Sequence, residues 1–198
     1  MIDVVLPTVT GREADLARLI ESYDRNTAPD VLTFIVIKDE ETVGKAWKKG
    51  MELATAPYVA LSCDDLEVTS DTWAGVCCET VDEGLLPCPV VHRPDGSLES
   101  CGGDMNSGGC LISTMQPDKT QCDFTVVPFM SREQADAIGM HEGHYLTDTY
   151  VSHKGRQLGY ETVVRTGYAF THYHSNVKRI SPSPTEMQTV TKALANGA

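Results

Sequence analysis

A doubly wound α/β domain with a largely parallel sheet is expected from this sequence. Strand-like and helix-like periodicities alternate in the order β-α-β-α-β over the first 61 residues, and such alternation favours parallel strands joined by right-handed crossovers. Polar side chains also gather where the three strands should end, at Thr8, Asp39, Asp64 and Asp65. In open sheets of this kind, ligands sit outside the carboxyl ends of the strands.

Asp3 to Val9 is rich in β-formers and carries Pro7 near its end. Thr10-Gly11-Arg12-Glu13 reads as a capping box, with Thr10 as N-cap, and Leu16, Leu19, Ile20 and Tyr23 follow on one helix face. Leu32 to Ile37 is almost continuously apolar, the pattern of a strand buried on both faces. Val43, Ala46, Trp47, Gly50 and Ala54 mark a second helix, and Tyr58 to Leu61 a third strand ending at Cys63-Asp64-Asp65. A further helix is expected from Ser70, with Trp73, Val76, Cys77 and Val81 inward. Pro87 to Val91 and Cys101 to Ile112 read as irregular strands, the latter broken by Gly102-Gly103 and Gly108-Gly109. Ser131-Arg132-Glu133-Gln134 is a second capping box, opening a short helix through Ile138. Another helix starts near Thr147 or Asp148 and stops at Gly159, and Val163 to Thr171 is a last strand delivering His172-Tyr173-His174. The expected division is one domain over 1–175, with a first half at 1–68 and a second at 69–175, followed by a tail at 176–198.

The 198 residues are 41% hydrophobic, enough to bury one sizeable core. The net charge of −12 and the lack of a basic block disfavour a protein that grips nucleic acid through its overall field. No apolar run approaches the roughly 18 residues a membrane span needs, and the start, Met1-Ile2-Asp3, has no basic leader region. Seven cysteines, an odd number without a C-x-x-C pair, suggest free thiols in a reducing, cytoplasmic setting.

Phosphate-loop, G-x-G-x-x-G and G-x-S-x-G motifs are all absent, which removes the usual support for ATPase, dinucleotide oxidoreductase and α/β-hydrolase readings. His141-Glu142-Gly143-His144 spaces its histidines three apart rather than four, so it is not a zincin helix. Asp64-Asp65 stands out: adjacent carboxylates at the end of a buried strand need a cation or a proton to offset their repulsion. Hard oxygen ligands of this kind suit Mg²⁺ or Mn²⁺ held jointly with substrate phosphates. A solvated turn in which one aspartate caps a helix is the plainer explanation of the pair.

Taken together, these residues resemble family-2 glycosyltransferases of the GT-A fold. Those enzymes carry a strand ending L-N-D-D-T-E-V-x-x-x-x-W, and here Leu61 leads to Cys63-Asp64-Asp65-Leu66-Glu67-Val68 and Trp73. Their D-G-x-[IL]-x-S-x-G-G segment is matched by Asp95-Gly96-Ser97-Leu98-Glu99-Ser100-Cys101-Gly102-Gly103. Their late E-D-x-D-L-x-x-R-x-x-x-x-G-Y is matched in part by Thr147-Asp148-Thr149-Tyr150-Val151 and Gly159-Tyr160, with His172 a dozen residues on. The resemblance implies a single-domain GT-A (Rossmann-like) fold, with a mostly parallel central sheet, flanking helices and a smaller mixed second half.

It also implies transfer of a sugar from a nucleotide-diphosphate donor to an acceptor hydroxyl, with inversion. Pro7, Thr8 and Asp39 would hold the nucleoside, Asp64 would contact the ribose or the metal, and Lys45 or Lys48 would supply the cation for the diphosphate. Asp65 and His172 would ligate Mn²⁺ or Mg²⁺, with His174 as stand-in, and Asp148 would be the general base. Departures are plain: Thr147 replaces the glutamate before the base, Tyr150 the second acid, Lys154 the arginine, and Trp47-Lys48 an Arg-Asn pair. A catalytically silent nucleotide-sugar binder is one alternative, and a zinc hydrolase on His172 and His174 another. The acceptor class is left open among saccharide, small molecule, protein and modified nucleic-acid base. His92, Arg93, Met105 and Tyr145 are candidates to line its pocket.

Overall fold

The structure, a computed structural model, describes residues 1–105, 111–113, 121–143 and 147–173. The expectations about Gly108-Gly109, Tyr145, His174, the 176–198 tail and the Met105 side chain lie outside the described residues. The elements begin β1 (Ile2–Thr8), α1 (Glu13–Arg25), β2 (Leu32–Lys38), α2 (Val43–Leu53) and β3 (Tyr58–Leu61). Next come β4 (Leu66–Val68), α3 (Trp73–Asp82), β5 (Leu86–His92), β6 (Leu98–Ser100), β7 (Gly103–Met105) and β8 (Leu111–Ser113). The chain continues through β9 (Gln121–Cys122), β10 (Phe129–Ser131), α4 (Arg132–Ile138), α5 (Thr147–Gln157) and β11 (Thr162–His172).

The first sheet has the order β10-β3-β1-β2, with β1 parallel to both neighbours and β10 antiparallel to β3. A second, mixed sheet runs β4-β11-β5-β6, with β9 also on β11, and β7 and β8 form a separate antiparallel pair. This is the mixed α/β architecture that the alternating periodicities imply, although the second sheet, at five strands, is not the smaller one. The sheets also exchange strands across residue 68: β10 joins the first, while β4 pairs with β11 in the second.

Strand alternation sorts β1 onto two cores. Ile2, Val4 and Leu6 pack with Leu19, Tyr23, Trp73, Tyr168 and Phe170, while Val5 packs with Ala46, Trp47, Met51 and Leu61. α2 lies so close to β1 that a Cβ on Gly50 would fall 2.2 Å from a Val5 methyl, which explains a glycine inside a helix. Thr42 caps α2 by accepting from the Lys45 amide, and the Ser131–Gln134 capping box opens α4 with both of its bonds formed.

Two expectations fail locally. β2 is an edge strand with only Ile37 buried, because among the described residues no strand pairs beyond it, so its apolar run does not mean burial on both faces. Thr10 does not cap α1. Arg12 stands at the N-cap without a side-chain capping bond, and both Thr10 groups, N–H and hydroxyl, donate instead to Asp39 at 2.7 and 2.8 Å.

Candidate active site

The carboxyl ends of β1, β2 and β3 open on the same edge of the first sheet. Thr8, the last residue of β1, donates its hydroxyl to Asp64 Oδ2 at 2.7 Å, and Pro7 precedes it in register with Ile37. Beyond β2, Asp39 adopts φ 59° and gathers the Thr10 bonds, which draw its pKa below the usual carboxylate value. Past β3, the buried Trp47 donates Nε1–H to the Ser62 carbonyl at 3.0 Å, fixing the stem from which Cys63, Asp64 and Asp65 project.

Asp65 and His172, 107 positions apart, meet through strand pairing. β4 runs antiparallel to β11 with Leu66 opposite His172, and the Tyr173 amide donates to the Asp65 carbonyl at 2.7 Å. His172 Nε2 then lies 3.5 Å from Asp65 Oδ2, and Nδ1 lies 3.1 Å from Glu99 Oε1 on β6. Burial disfavours the imidazolium, but hydrogen bonds and charge from Asp65 and Glu99 outweigh it and raise the His172 pKa. Burial likewise pushes Asp65 up, and His172 with Arg12 more than reverses it, leaving Asp65 below the ordinary value. For Asp64 burial wins over Thr8 and Arg12, and its pKa is raised.

Asp148 sits in the first turn of α5, where Oδ1 accepts the Thr149 amide at 2.7 Å. Burial lifts its pKa to about 6, so desolvation prevails over the helix-end and hydrogen-bond effects that favour the anion. The Cys63 thiol is pushed well up, chiefly by burial and then by the charges of Asp65, Asp64 and Asp148. With the charges of all three carboxylates adding to its burial, Cys63 is not a reactive thiolate.

Most of the expected site residues come together here. Lys45 does not: it is paired with Glu41 one turn away on an exposed face of α2. His174, the second histidine of the zinc-hydrolase alternative, lies outside the described residues, and His172 turns its second nitrogen to Glu99. Arg93 bonds back to Ser97 and Leu98 within its own hairpin, and His92 ends β5 opposite Thr171.

Three contributors escape sequence reasoning. Arg12 places Nη1 3.0 Å from Asp64 Oδ1 and Nη2 3.7 Å from Asp65 Oδ2. The signal for it was available, since paired carboxylates need a cation and Arg12 is the first one after β1. Glu99 occupies a variable position of its motif, and Trp47 looked like plain core, so neither had a signal. His141-Glu142-Gly143, an unused motif in the sequence, docks on the start of α2: the Gly44 amide donates to the Gly143 carbonyl at 2.9 Å and Thr42 to the Glu142 carbonyl at 2.6 Å.

The donor set fits a hard divalent cation. Asp65 Oδ2 and His172 Nε2 are near enough to share one ion, and a carboxylate behind the far ring nitrogen is the usual support of a metal-binding histidine. Among the described residues, no cluster of three or more His, Cys, Asp or Glu side chains has metal-binding geometry, so the protein would supply two ligands and leave the rest to substrate or water.

Two sheets that each draw strands from both halves of the chain, with an aspartate pair just past β3, define the class: the chain has the GT-A glycosyltransferase fold. Among solved structures it is similar to GalNAc-T7 crystallised with UDP, GalNAc and Mn²⁺, with a TM-score of 0.70 and 12% identity over 87% of this chain and 43% of that one. It is similar to TarS of S. aureus, with a TM-score of 0.65 and 12% identity over 98% of this chain and 39% of TarS. A197 from STIV matches with a TM-score of 0.62 and 10% identity over 88% of this chain and 86% of A197. The chain thus spans about two-fifths of GalNAc-T7 and of TarS. No family model and no curated protein matches the sequence. At such identities the likeness speaks for the fold, and activity has to be argued from the site.

Proposed function

We propose that the chain is a family-2-like glycosyltransferase that moves a sugar from a nucleotide-diphosphate donor to an acceptor hydroxyl, with inversion and with a divalent cation. The observation that carries this reading is the approach of His172 to Asp65 through the β4–β11 pairing, with Asp64 alongside and held by the Thr8 hydroxyl. GalNAc-T7, of the same fold, was crystallised with UDP and Mn²⁺, which supports a nucleotide donor and a cation here.

In this reading Asp39 and Thr8 position the nucleoside, and Asp64, locked by Thr8, faces the ribose. Asp65 and His172 hold Mn²⁺ or Mg²⁺, which when bound acts as a Lewis acid and neutralises the departing diphosphate. Asp148 takes the proton from the acceptor hydroxyl. With a pKa near 6 it is a stronger base than an ordinary carboxylate, yet it remains ionised at neutral pH. It stands in the first turn of α5, where the neighbouring Thr147 hydroxyl donates to the Gly143 carbonyl at 3.2 Å, the same carbonyl that accepts the Gly44 amide of α2.

Thermal unfolding with UDP, GDP, CDP and dTDP, each with and without Mn²⁺, tests the donor site. A ligand at 100 times its dissociation constant adds about 2.7 kcal/mol, a shift of several degrees. One nucleotide should give a Mn²⁺-dependent shift that Asp65→Asn abolishes. No shift with any of the four refutes the donor site.

A further inference from the structure

We infer that Arg12 is the resident counter-cation of the aspartate pair, displaced from Asp64 and Asp65 when a divalent ion binds and then turned to the diphosphate of the donor. The second half of this inference rests on the function proposed above. The first half rests on geometry alone.

Arg12 stands at the N-cap of α1, its amide donating to the Val9 carbonyl at 3.2 Å, so the backbone is pinned and the side chain is the part free to move. Nη1 is 3.0 Å from Asp64 Oδ1, the oxygen that Thr8 leaves unoccupied, and Nη2 is 3.7 Å from Asp65 Oδ2. That same Asp65 oxygen is the one His172 Nε2 approaches. A cation seated between Asp65 and His172 therefore takes the oxygen Arg12 leans on, and the two positive charges repel each other.

The guanidinium is also underused. Its Nη2 is shielded from solvent yet makes no hydrogen bond among the described residues, and only Nε, at 3.3 Å from Asp15 Oδ2, has a second carboxylate. A planar fork with five N–H groups matches phosphate as well as carboxylate. Asp15 also pairs with Arg18 at 2.9 Å, whose guanidinium carbon lies 4.2 Å over the Tyr173 ring. Two arginines share that one carboxylate, so displacing Arg12 from the aspartate pair leaves it beside a local excess of positive charge, where a diphosphate is the fitting counter-anion.

The two roles give opposite signs in one set of variants. Titration of Mn²⁺ alone, followed by paramagnetic resonance of the free ion, should show Arg12→Ala binding the metal about tenfold more tightly than wild type, the effect of removing one competing charge-assisted bond. With Mn²⁺ saturating, calorimetric titration with UDP, GDP, CDP and dTDP should show the preferred nucleotide binding Arg12→Ala about tenfold more weakly. Arg12→Lys, which keeps the charge without the fork, should fall between wild type and Arg12→Ala in both series. Arg12→Met keeps the aliphatic stem and carries the comparison if Arg12→Ala melts below the assay temperature. Mn²⁺ affinity that stays level or falls overturns the counter-cation role. Tighter Mn²⁺ binding with unchanged nucleotide affinity overturns the transfer to phosphate. If wild type binds no nucleotide, the donor reading fails, and the Mn²⁺ series still decides whether Arg12 competes for the pair.

Discussion

Asp148→Asn should abolish turnover and, above neutral pH, make the protein harder to unfold. Burial raises the Asp148 pKa from 3.8 to about 6, so the folded chain holds this proton more tightly than the unfolded chain does. Well below pH 4 both states are protonated and the residue has no pH-linked effect. As pH climbs from about 4 through about 6, the unfolded chain ionises first and stability is lost, and above that the full penalty stands. Two pKa units correspond to about 3 kcal/mol. Asparagine escapes this penalty, keeps the size of the side chain and can still accept the Thr149 amide. Melting curves from pH 4 to pH 8 should therefore nearly coincide at the acid end. At pH 8 the variant should melt higher by roughly 6–12 °C, at 2–4 °C per kcal/mol for a chain of this size. The same ionisation should set the rising limb of kcat/KM near pH 6 in the wild type. A gap that does not change with pH, or a variant less stable at pH 8, would refute a desolvated carboxylate at this position.

Gly44→Ala puts a Cβ 2.1 Å from the His141 carbonyl oxygen and 2.6 Å from that of Gly143, both backbone atoms, so the 141–143 loop must shift. We expect a loss of about 1–3 kcal/mol in urea denaturation, together with a fall in kcat at unchanged nucleotide affinity; an unchanged kcat would show that the loop does not position Asp148. Glu99→Gln keeps the shape behind His172 but removes the charge, and Mn²⁺ affinity should drop about 10–100-fold. Wild-type affinity in that variant would leave Glu99 a strand residue and nothing more.

What could be read in the sequence was whatever depends on near neighbours. The helix faces of α1 and α2, the capping box at Ser131 and the inward Trp73, Cys77 and Val81 all follow from local spacing. Thr10 misled because its hydroxyl had two uses, capping α1 or clamping Asp39, and only the chain reversal after β2 decides between them. The apolar run of β2 misled because a strand's burial depends on what pairs outside it. Asp64, Asp65, Asp148 and His172 were legible as residues, through resemblance to a family. Their meeting depends on β4, three residues too short to announce itself as a strand. Arg12 and Glu99 reach the site through side-chain direction, on which spacing is silent. Lys45 was a fair candidate by charge, and an acid one turn away claimed it.

The exchange of strands across residue 68 also sets a clock on biosynthesis. A ribosome that has just released Asp65 must add 107 more residues before His172 exists, roughly 5 to 20 s of elongation. β3 waits about two-thirds as long for its neighbour β10, which begins 68 positions after Leu61. During that interval the nascent chain carries two adjacent carboxylates and an unpaired sheet edge, with Thr8 and Arg12 the partners of the pair already synthesised. Ordering of the aspartates before the second sheet closes then falls to Thr8 and Arg12, both encoded ahead of them, and the approach of His172 to Asp65 can form only once β11 has been made.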